Sequence, residues 1–592
     1  MKRQRTTWRE SMMRRGFFAA LFPVLLAVPG WCVCARGQGP DLILHGGRIV
    51  TVDERFSVAQ AMAIQGDQIL AVGADIAVKG LAGPNTKMVD LKRRTVLPGL
   101  IDSHVHATGA SVYEFDHPVP VMENIADVLK YIASRAAAKE KGEWIRVQQV
   151  FITRLREQRF PTRAELDRVA PDNPVDYRTG PDASLNSLAL KLSGIDKDFK
   201  IPAGESGVIE RNPSTGEPTG IIRGARRFIK FSSSDRGPSG DDRLVRLRKL
   251  IRDYNSIGIT SFSDRNASDS AFELYKQLYE SKELTCRVYL YYSVNAQAPL
   301  DEIKQRLERA RQSPFHKYND RLWLRGVKIF LDGGMLTGSA YMRKPWGVSE
   351  IYAITDPAYR GTLYVQPERL FQISKLTMEH GFQMTAHSVG DGAVHALIAA
   401  YEEVDKERPI RPLRPCITHC NFMSREAIAK MKEIGIVADL QPAWLYLDGA
   451  TLRKQFGDER MRYFQPYRSL FEAGVTVGGG SDHMQKIGSL RAVNPYNPFL
   501  GMWIALSRVP RRSTEALHAE ERISREQALR LYTINNAHLT FEERRKGSIE
   551  AGKYADFVII DRDYLKCPLD EVKDIRPLQT YVGGKLVYTA PE

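Results

Sequence analysis

The sequence predicts an α/β protein: a metal-dependent (β/α)8 TIM barrel with a small β-sandwich domain that is built from both ends of the chain. Three observations lead to this fold class. Apolar, strand-like segments alternate with helical segments over roughly 300 residues in the middle of the chain. Short strands between glycine and aspartate turns occur at both ends. Residue types that bind metal ions stand where the predicted barrel strands end, which is the face where barrel enzymes carry their chemistry.

The two ends of the chain are predicted to pair into one β-sandwich, with residues 40–95 as its N-terminal part and residues 542–592 as its C-terminal part. Each contributing segment alternates apolar and polar residues, or runs apolar between turns. The segments are DLILHGGRIVTVD, AMAIQGDQILAVG and KMVDLKRRTVLPG near the start, and KGSIEAGKYADFVIIDRD and QTYVGGKLVY near the end.

The long middle region, residues 96–541, is predicted to form the barrel. Strand-like segments recur through it, and helical stretches such as 242–254 and 425–433 separate them, as in a parallel sheet with helical crossovers. The strand-like segments include GITSFSD, WLRGVKIF, GFQMTAH, PCITH and VTVGGGSD. Residues 110–235 are less regular, and we expect them to form an insertion over the barrel mouth.

The first 35 residues are predicted to be an export signal. A basic stretch that ends at Arg14-Arg15 precedes an apolar run over residues 19–31, and Val33-Cys34-Ala35 offers small residues for cleavage. The stretch from Arg14 resembles a twin-arginine signal, and an ordinary Sec signal is the alternative. Because proline and glycine interrupt the short apolar run, we expect a periplasmic or secreted mature protein without stable membrane insertion.

The composition is that of an ordinary globular protein with an excess of basic residues. The formal net charge is +15, but the first 35 residues hold six Lys or Arg against one Glu, and the rest of the excess is spread along the chain. No recognition motif accompanies the charge, so we expect no nucleic-acid partner. The cysteines beyond the export signal lack zinc-finger spacing and imply no disulfide framework.

Two histidines one residue apart end the strand-like segment VLPGLIDSHVH. Side chains at alternate positions of a strand point to the same face, so His104 and His106 can aim both imidazoles at one metal ion. Further residues that can bind metal follow in similar settings at strand ends. They are Lys328, His387, His419 and Asp482. Together these residues predict the metal centre of a hydrolase.

Collinear landmarks extend through essentially the whole mature chain. They are GGRIVTVD, VLPGLIDSHVH, FPTRAELDRVAPDNPV, LNSLALKLSGI, GEPTGIIRGA, GVKIFLDGG, AHSVGDGAV, GSDH, YTINNAH, KGSIEAGKYADFVIIDRD and VGGKLVY. With this set the chain resembles the amidohydrolase superfamily and, within it, the amidohydrolase-3 branch of YtcJ-like and N-substituted formamide deformylase-like proteins. The set is specific for the family and not for a substrate, because the family uses one site for many amides and related bonds.

The resemblance implies a role for each histidine and for the aspartate. His104 and His106 would be metal ligands from the first barrel strand, and His387 and His419 would be ligands from the fifth and sixth strands. Asp482 would be the eighth-strand carboxylate that touches the metal-bound water and shuttles its proton. The alternative for Asp482 is a structural role, as the cap of the following turn.

The resemblance also implies that Lys328 is the fourth-strand lysine, which many superfamily members carboxylate on Nζ so that the carbamate bridges two metals. An unmodified ammonium cannot ligate a cation, so a metal role for Lys328 needs carboxylation or deprotonation. The alternative is an ammonium that pairs with substrate or with Asp482. Imidazole and carboxylate ligands suit one or two divalent ions, of which zinc is the first choice and cobalt, manganese or iron are substitutes.

The implied activity is hydrolysis of a carbon–nitrogen bond other than a peptide bond in a small-molecule substrate. Metal-bound hydroxide would attack the carbonyl, and Asp482 would pass the captured proton to the leaving nitrogen. A deaminase, lactonase or isomerase of the same superfamily would use the same residues and is the alternative. A non-catalytic, secreted metal-binding protein is a second alternative, and association into homo-oligomers is left open.

Three positions depart from the family pattern. Gly180-Pro181-Asp182 stands where many relatives have a histidine, His483 replaces the usual tryptophan after the eighth-strand aspartate, and Gly392 replaces an arginine. In the family these positions lie around the substrate pocket, so the resemblance implies an unusual substrate. We expect His483 to contact that substrate, because it follows Asp482 directly.

Overall fold

A computed structural model describes residues 39–233 and 237–591 of the 592-residue chain. The predicted export signal, residues 1–35, lies outside the described residues. The strands of the described part are β1 Leu42–His45, β2 Arg48–Val50, β3 Val58–Ala59, β4 Ala61–Gln65, β5 Gln68–Gly73, β6 Lys87–Asp90, β7 Thr95–Pro98, β8 Leu100–Val105, β9 Ile145–Gln148, β10 Val175–Thr179, β11 Asp182–Leu185, β12 Val208–Arg211, β13 Pro218–Arg223, β14 Ile259–Ala267, β15 Arg287–Ser293, β16 Leu322–Phe330, β17 Gln383–Ser388, β18 Cys416–His419, β19 Val437–Leu440, β20 Val477–Gly479, β21 Phe557–Ile560, β22 Pro577–Val582 and β23 Lys585–Thr589.

The helices lie mainly between the strands of the middle region. They are α1 Asp75–Lys79, α2 Ala107–Ser111, α3 Ile125–Ala138, α4 Arg163–Val169, α5 Ser187–Ser193, α6 Gly240–Ser256, α7 Asp269–Glu280, α8 Leu300–Gln312, α9 Pro367–Glu379, α10 Asp391–Glu407, α11 Arg425–Ile434, α12 Pro442–Arg460, α13 Tyr467–Glu472, α14 Pro498–Ser507, α15 Arg525–Leu531 and α16 Ile534–Leu539. Within the described part of the chain, none of them is both long and apolar enough to span a lipid bilayer.

Eight parallel strands form the barrel, in the order β8, β14, β15, β16, β17, β18, β19 and β20. Backbone hydrogen bonds across the remaining seam bring the segment after β20 beside β8. His106 N donates to His483 O at 2.8 Å, and Asp482 N donates to His104 O at 2.8 Å. The α/β barrel that the sequence predicts is therefore confirmed, and its seam lies at the residues predicted to bind metal.

The local sequence explains how a barrel helix begins and ends. The side chain of Ser424 accepts a hydrogen bond from Ala427 N at the start of α11, and Gly435 ends this helix with a φ of 87°. Ile428 and Met431 are buried one helical turn apart and face the sheet. The next strand, β19, is buried at every position, as expected for a strand covered on both faces.

Two sheets outside the barrel contain strands from both ends of the chain. The first has the order β5-β4-β1-β6, and the second has the order β23-β22-β21-β7-β2-β3. Strand β21 pairs antiparallel with β7, so the C-terminal segment joins the N-terminal one in a single sheet. Leu44, Ile49 and Phe557 are buried together in the core of this β region. Strand β7 extends the N-terminal contribution to Pro98, past the predicted limit at 95.

A buried ion pair joins this β region to the barrel. Arg287, on β15, donates from Nε to Asp556 Oδ2 at 2.7 Å and from Nη2 to Asp556 Oδ1 at 3.0 Å. Burial alone would raise the pKa of Asp556, but the adjacent Arg287 outweighs it and lowers that pKa.

The insertion between β8 and β14 is more ordered than the sequence predicts. It contains a five-stranded sheet in the order β12-β13-β11-β10-β9, and α3, α4 and α5 belong to the same segment. The expectation of a less regular segment at 110–235 is therefore wrong. These strands are short: β10, for example, alternates apolar and polar residues over only five positions. Residues of this insertion, such as Arg178 and Arg226, line the cavity.

Candidate metal centre and active site

A cavity of about 1260 Å³ opens at the carboxyl ends of the barrel strands. All six residues that the sequence predicts as metal ligands line it. They are His104, His106, Lys328, His387, His419 and Asp482. The structure therefore brings together side chains from the first, fourth, fifth, sixth and eighth strands, at the end of the barrel where function is expected.

His104, His106 and Asp482 converge most closely. The Nε2 atoms of the two histidines are 3.3 Å apart, and Asp482 Oδ1 is 3.4 Å from His104 Nε2 and 3.1 Å from His106 Nε2. Their potential ligand atoms lie within 4.8 Å of one another. The backbone allows this approach because Gly480 has no side chain: a Cβ there would lie 2.8 Å from His104 N.

The chemistry of these three residues fits a bound cation. Burial and the nearby Lys328 hold the pKa of His104 well below its usual range, so its imidazole is neutral. Asp482 Oδ1 is buried and has no hydrogen-bond donor among the described residues. Lone pairs on nitrogen and on a carboxylate oxygen thus face one point, where a divalent cation would be ligated.

A buried carboxylate fixes the orientation of His104. Asp439, on the seventh barrel strand, accepts from His104 Nδ1 at 3.1 Å and from Ser103 Oγ at 2.5 Å. Arg265 Nε lies 3.2 Å from Asp439 Oδ2 and donates to Ser103 O at 2.7 Å. Because Nδ1 of His104 donates to Asp439, its Nε2 presents a lone pair to the cavity.

Sequence reasoning missed Asp439 and Arg265. Neither belongs to a short motif, and neither is a predicted metal ligand. One feature could have revealed Asp439: a lone carboxylate in the otherwise apolar segment of β19, where every residue is buried.

His419 and His387 continue the ring of imidazoles across the cavity. The ring centroids of His104 and His419 are 5.2 Å apart, and those of His387 and His419 are 4.5 Å apart. His419 Nδ1 donates to Gln441 Oε1 at 2.7 Å, which leaves its Nε2 as an acceptor. Burial, with the nearby Lys328, lowers the pKa of His387 to about 3, so it is neutral at pH 7.

Two of the predicted ligands occupy a backbone conformation that favours glycine. The φ angle is 81° at His419 and 53° at Asp482. Such residues cost about 1–3 kcal/mol each and cluster at functional sites. His419 is the last residue of β18, and Asp482 comes three residues after β20; both side chains line the cavity.

Lys328 lies within β16 with its side chain buried. Burial, with Arg265 nearby, lowers the pKa of Lys328 to about 7. Within the described ranges no carboxylate forms an ion pair with its Nζ atom, so the alternative of a pair with Asp482 does not occur in this structure.

His483 lies apart from these residues, although it follows Asp482 in sequence. Its side chain is fully buried and does not line the cavity. Its Nδ1 atom lies 2.7 Å from the Tyr254 hydroxyl, and its Nε2 atom lies 2.7 Å from Lys486 O. The predicted substrate contact therefore does not fit this placement: the turn at Asp482 sends the next side chain into the protein interior.

The other two departures from the family pattern lie in different settings. Gly180 lines the cavity, whereas Asp182 is buried and accepts hydrogen bonds from Ser339 Oγ at 2.7 Å and Gly224 N at 2.9 Å. A Cβ at Gly392 would lie 2.7 Å from the ring of Tyr341, so Tyr341 fills the space beside this position.

Comparison with known proteins follows this geometry. A family model described as the amidohydrolase family matches residues 87–588. The chain belongs to this family. It is similar to the N-substituted formamide deformylase of Arthrobacter pascens, with 29% identity over 93% of this chain and 99% of that protein. It is also similar to the putative amidohydrolase YtcJ of Bacillus subtilis, with 23% identity over 92% of this chain and 99% of that one. This amidohydrolase is therefore a metal-dependent hydrolase of carbon–nitrogen bonds.

Solved structures show the same fold. The amidohydrolase resembles an uncharacterised metal-dependent hydrolase from Pyrococcus horikoshii with a TM-score of 0.64 and 21% identity, over 89% of this chain and 99% of that one. The family predicted from the sequence landmarks, in its amidohydrolase-3 branch, is confirmed.

Proposed function

We propose that this amidohydrolase hydrolyses a non-peptide, amide-type bond of a small molecule with the help of one or two divalent ions, with zinc as the native metal. The observation that carries the proposal is the convergence of His104, His106 and Asp482 at the floor of a cavity that His387 and His419 also line. The similarity to an N-substituted formamide deformylase favours an N-substituted amide as substrate.

The donor set indicates how metal would be held. His104, His106 and Asp482 would ligate one ion, and His387 and His419 would ligate a second. A divalent ion bound there supplies two effects: it lowers the pKa of a coordinated water to about 7, and it polarises the substrate carbonyl. The protein's own contribution is to orient His104 through Asp439 and His419 through Gln441, so that the Nε2 atoms of both face the cavity.

Asp482 is proposed as the proton carrier. Its Oδ1 atom has no hydrogen-bond donor among the described residues, and it faces the same point as two imidazole nitrogens. A carboxylate there accepts the proton released from the attacking water at Oδ1 and then delivers it to the departing nitrogen, which leaves as an amine.

Carboxylation of Lys328 belongs to the same proposal. The Nζ atom lies on the cavity wall without a carboxylate partner in the described part of the chain. Addition of carbon dioxide to the neutral amine forms an N–C bond and releases one proton, and the resulting carbamate carries oxygen ligands. Intact mass and infrared measurements with labelled carbon dioxide would detect it, and acetate should partly restore activity to Lys328→Ala.

We also propose that the mature enzyme acts in the periplasm or outside the cell. The basic stretch, apolar run and small residues at Val33-Cys34-Ala35 support this location. Replacement of Arg14 and Arg15 by lysine should block export by a twin-arginine route, whereas continued export would assign the Sec route. A protein that stays in the cytoplasm with residues 1–35 still attached would contradict the proposal.

Metal removal and reconstitution test the activity itself. Chelator-treated enzyme should lose hydrolysis of N-substituted formamides and regain it with zinc, cobalt or manganese. A parallel panel of ureas, aminated rings and lactones separates an amidase from a deaminase or a lactonase, since only deamination of a ring releases ammonia and leaves that ring intact. Full activity in enzyme without bound metal, or activity on aminated rings or lactones alone, would contradict the proposal.

A further inference from the structure

Three arginines of the insertion surround one buried carboxylate near the cavity rim. Asp176, on β10, accepts from Arg146 Nε at 2.8 Å, and Arg226 Nη2 lies 3.7 Å from the same oxygen. Arg178 lies two residues beyond Asp176 on β10, so both side chains share one face of the strand. Asp176 interacts electrostatically with Arg178 and Arg226, and Arg226 also interacts with the buried Asp182.

Arg178 and Arg226 line the cavity, and their donors are incompletely used. The Nε atoms of both are buried without a hydrogen-bond acceptor. Across the described ranges, the Arg178 side chain has no hydrogen bond and no ion pair. Burial, together with Arg226 and Arg146, lowers the pKa of Arg178 to about 10, so it stays charged at pH 7.

Arg227 shows the contrast, because it lines the same cavity with its donors occupied. It donates from Nε to Glu205 Oε2 at 2.6 Å, from Nη1 to Gly224 O at 2.9 Å and from Nη2 to Ser206 O at 2.5 Å. Hydrogen bonds within the protein therefore hold the Arg227 side chain in place on this wall. Arg178 and Arg226 differ from Arg227 in that their Nε atoms are buried without an acceptor.

The carboxylates on the cavity wall do not neutralise this pair. Glu205 is bound by Arg227, Asp264 accepts from the Tyr275 hydroxyl at 2.7 Å, and Asp332 accepts backbone N–H bonds from Val389 and Gly390 at 3.0 and 2.9 Å. Arg178 is a partly buried charge without an ion pair, which is costly, and an anionic ligand would offset that cost.

We propose that Arg178 and Arg226 bind a carboxylate of the substrate, so that the enzyme acts on N-acylated amines that carry an acidic group remote from the scissile bond. This inference rests on the proposed amide hydrolysis. Two guanidinium groups offer the planar, paired donors that carboxylates accept. The cavity, at about 1260 Å³, exceeds the roughly 300–1,000 Å³ of common ligand sites, and it extends from the metal ligands at its floor to these arginines.

Matched substrates test the inference in the metal-loaded enzyme. One series is N-formyl ω-amino acids of increasing chain length, and the other is N-formylalkylamines of the same lengths, which lack the carboxylate. We expect the N-formyl ω-amino acid to have a lower KM than the N-formylalkylamine of the same length when the chain is long enough to reach from the metal ligands to Arg178 and Arg226. Arg178→Gln and Arg226→Gln should raise KM for that acid about 10–100-fold with little change in kcat, and should leave the neutral amide unaffected.

Arg227→Gln is the matched control, because each of its three nitrogens already donates a hydrogen bond within the protein. It should leave the preference for the acid in place. Arg178→Lys, which keeps the charge and loses the fork of donors, should fall between the parent and Arg178→Gln and serves if the glutamine variant does not fold. Equal KM for acid and amide at every length, or the same loss in Arg227→Gln as in Arg178→Gln, would overturn the inference while amide hydrolysis stands.

A binding measurement separates this inference from the proposed activity. If the enzyme hydrolyses no member of either series, the amidase proposal fails and calorimetry with the same acids decides the arginine site. Binding of the acids to the parent and not to Arg178→Gln would support the site. Equal binding to both proteins, or none to the parent, would overturn it.

Discussion

Two parts of the cavity hold charged groups that differ in sign and in origin: the floor, with buried metal-ligand candidates such as Asp482, and the rim, with the partly buried Arg178 and Arg226. At the floor, barrel residues such as His104 and Asp482 direct lone pairs at one point, and Asp439 fixes the histidine that needs orientation. At the rim, Arg178 and Arg226 from the insertion present N–H donors with too few acceptors. The floor is arranged for a cation and the rim for an anion. The barrel therefore supplies the chemistry, and the insertion supplies selectivity.

The largest effect should come from removing the proton carrier at the floor. Asp482→Asn preserves shape but cannot accept the proton of the attacking water, so kcat should fall by roughly 10²–10⁴-fold. Steady-state kinetics on the preferred amide, with metal content matched to the parent by elemental analysis, measures it. Near-normal turnover would show that Asp482 only caps the turn after β20, a role that asparagine also fills.

The same contrast appears in stability when one arginine of each region is replaced. Arg265→Leu, in the buried network that orients His104, leaves Asp439 buried without its ion-pair partner, so the free energy of unfolding should drop by about 3–5 kcal/mol. Arg178→Gln at the rim removes a guanidinium group that lacks a partner, and the change should stay within about 0.5 kcal/mol. Denaturant unfolding of the two variants makes the comparison. Similar losses of unfolding free energy in both variants would mean that Arg178 contributes as much to stability as Arg265 does.

A smaller effect is expected where a side chain acts on the metal through His104. Asp439→Asn weakens the hydrogen bond that orients this imidazole, and the affinity for zinc should fall about 10–100-fold. Chelator competition measures that affinity. Asp182→Asn is the control, since this buried aspartate binds hydroxyl groups and no histidine. An unchanged affinity in Asp439→Asn would remove the orienting role.

The difference between floor and rim also explains what the sequence could predict. His104, His387 and His419 stand at the ends of apolar strands, and the pleat and the barrel geometry then determine where their side chains converge. The expected substrate contact of His483 is not met, because the residue after Asp482 directs its side chain into the protein interior, where its Nδ1 atom contacts the Tyr254 hydroxyl.

The role of the rim arginines, Arg178 and Arg226, could not be predicted from the sequence pattern, for a different physical reason. Strand β10 alternates apolar and polar residues over only five positions, and this pattern does not tell which residues the polar side chains of Asp176 and Arg178 contact. Which arginines keep free donors depends on contacts between residues far apart in sequence, as the pair of Arg227 with Glu205 shows. Asp439 could be predicted only in part. The sequence shows a carboxylate in an apolar strand, but it does not show that the partner of this carboxylate is His104 on another strand.

Metal content and activity measured together in His106→Ala test the central claim most directly. His106 Nε2 lies 3.1 Å from Asp482 Oδ1 and 3.3 Å from His104 Nε2, so its loss removes one of the three converging ligands. His395→Ala is the matched control, because this histidine lies outside the cavity and contacts Ser424 Oγ at 2.9 Å. The account predicts that bound metal and amide hydrolysis fall together in His106→Ala and stay at the parent level in His395→Ala. Full metal occupancy with full activity in His106→Ala would contradict it.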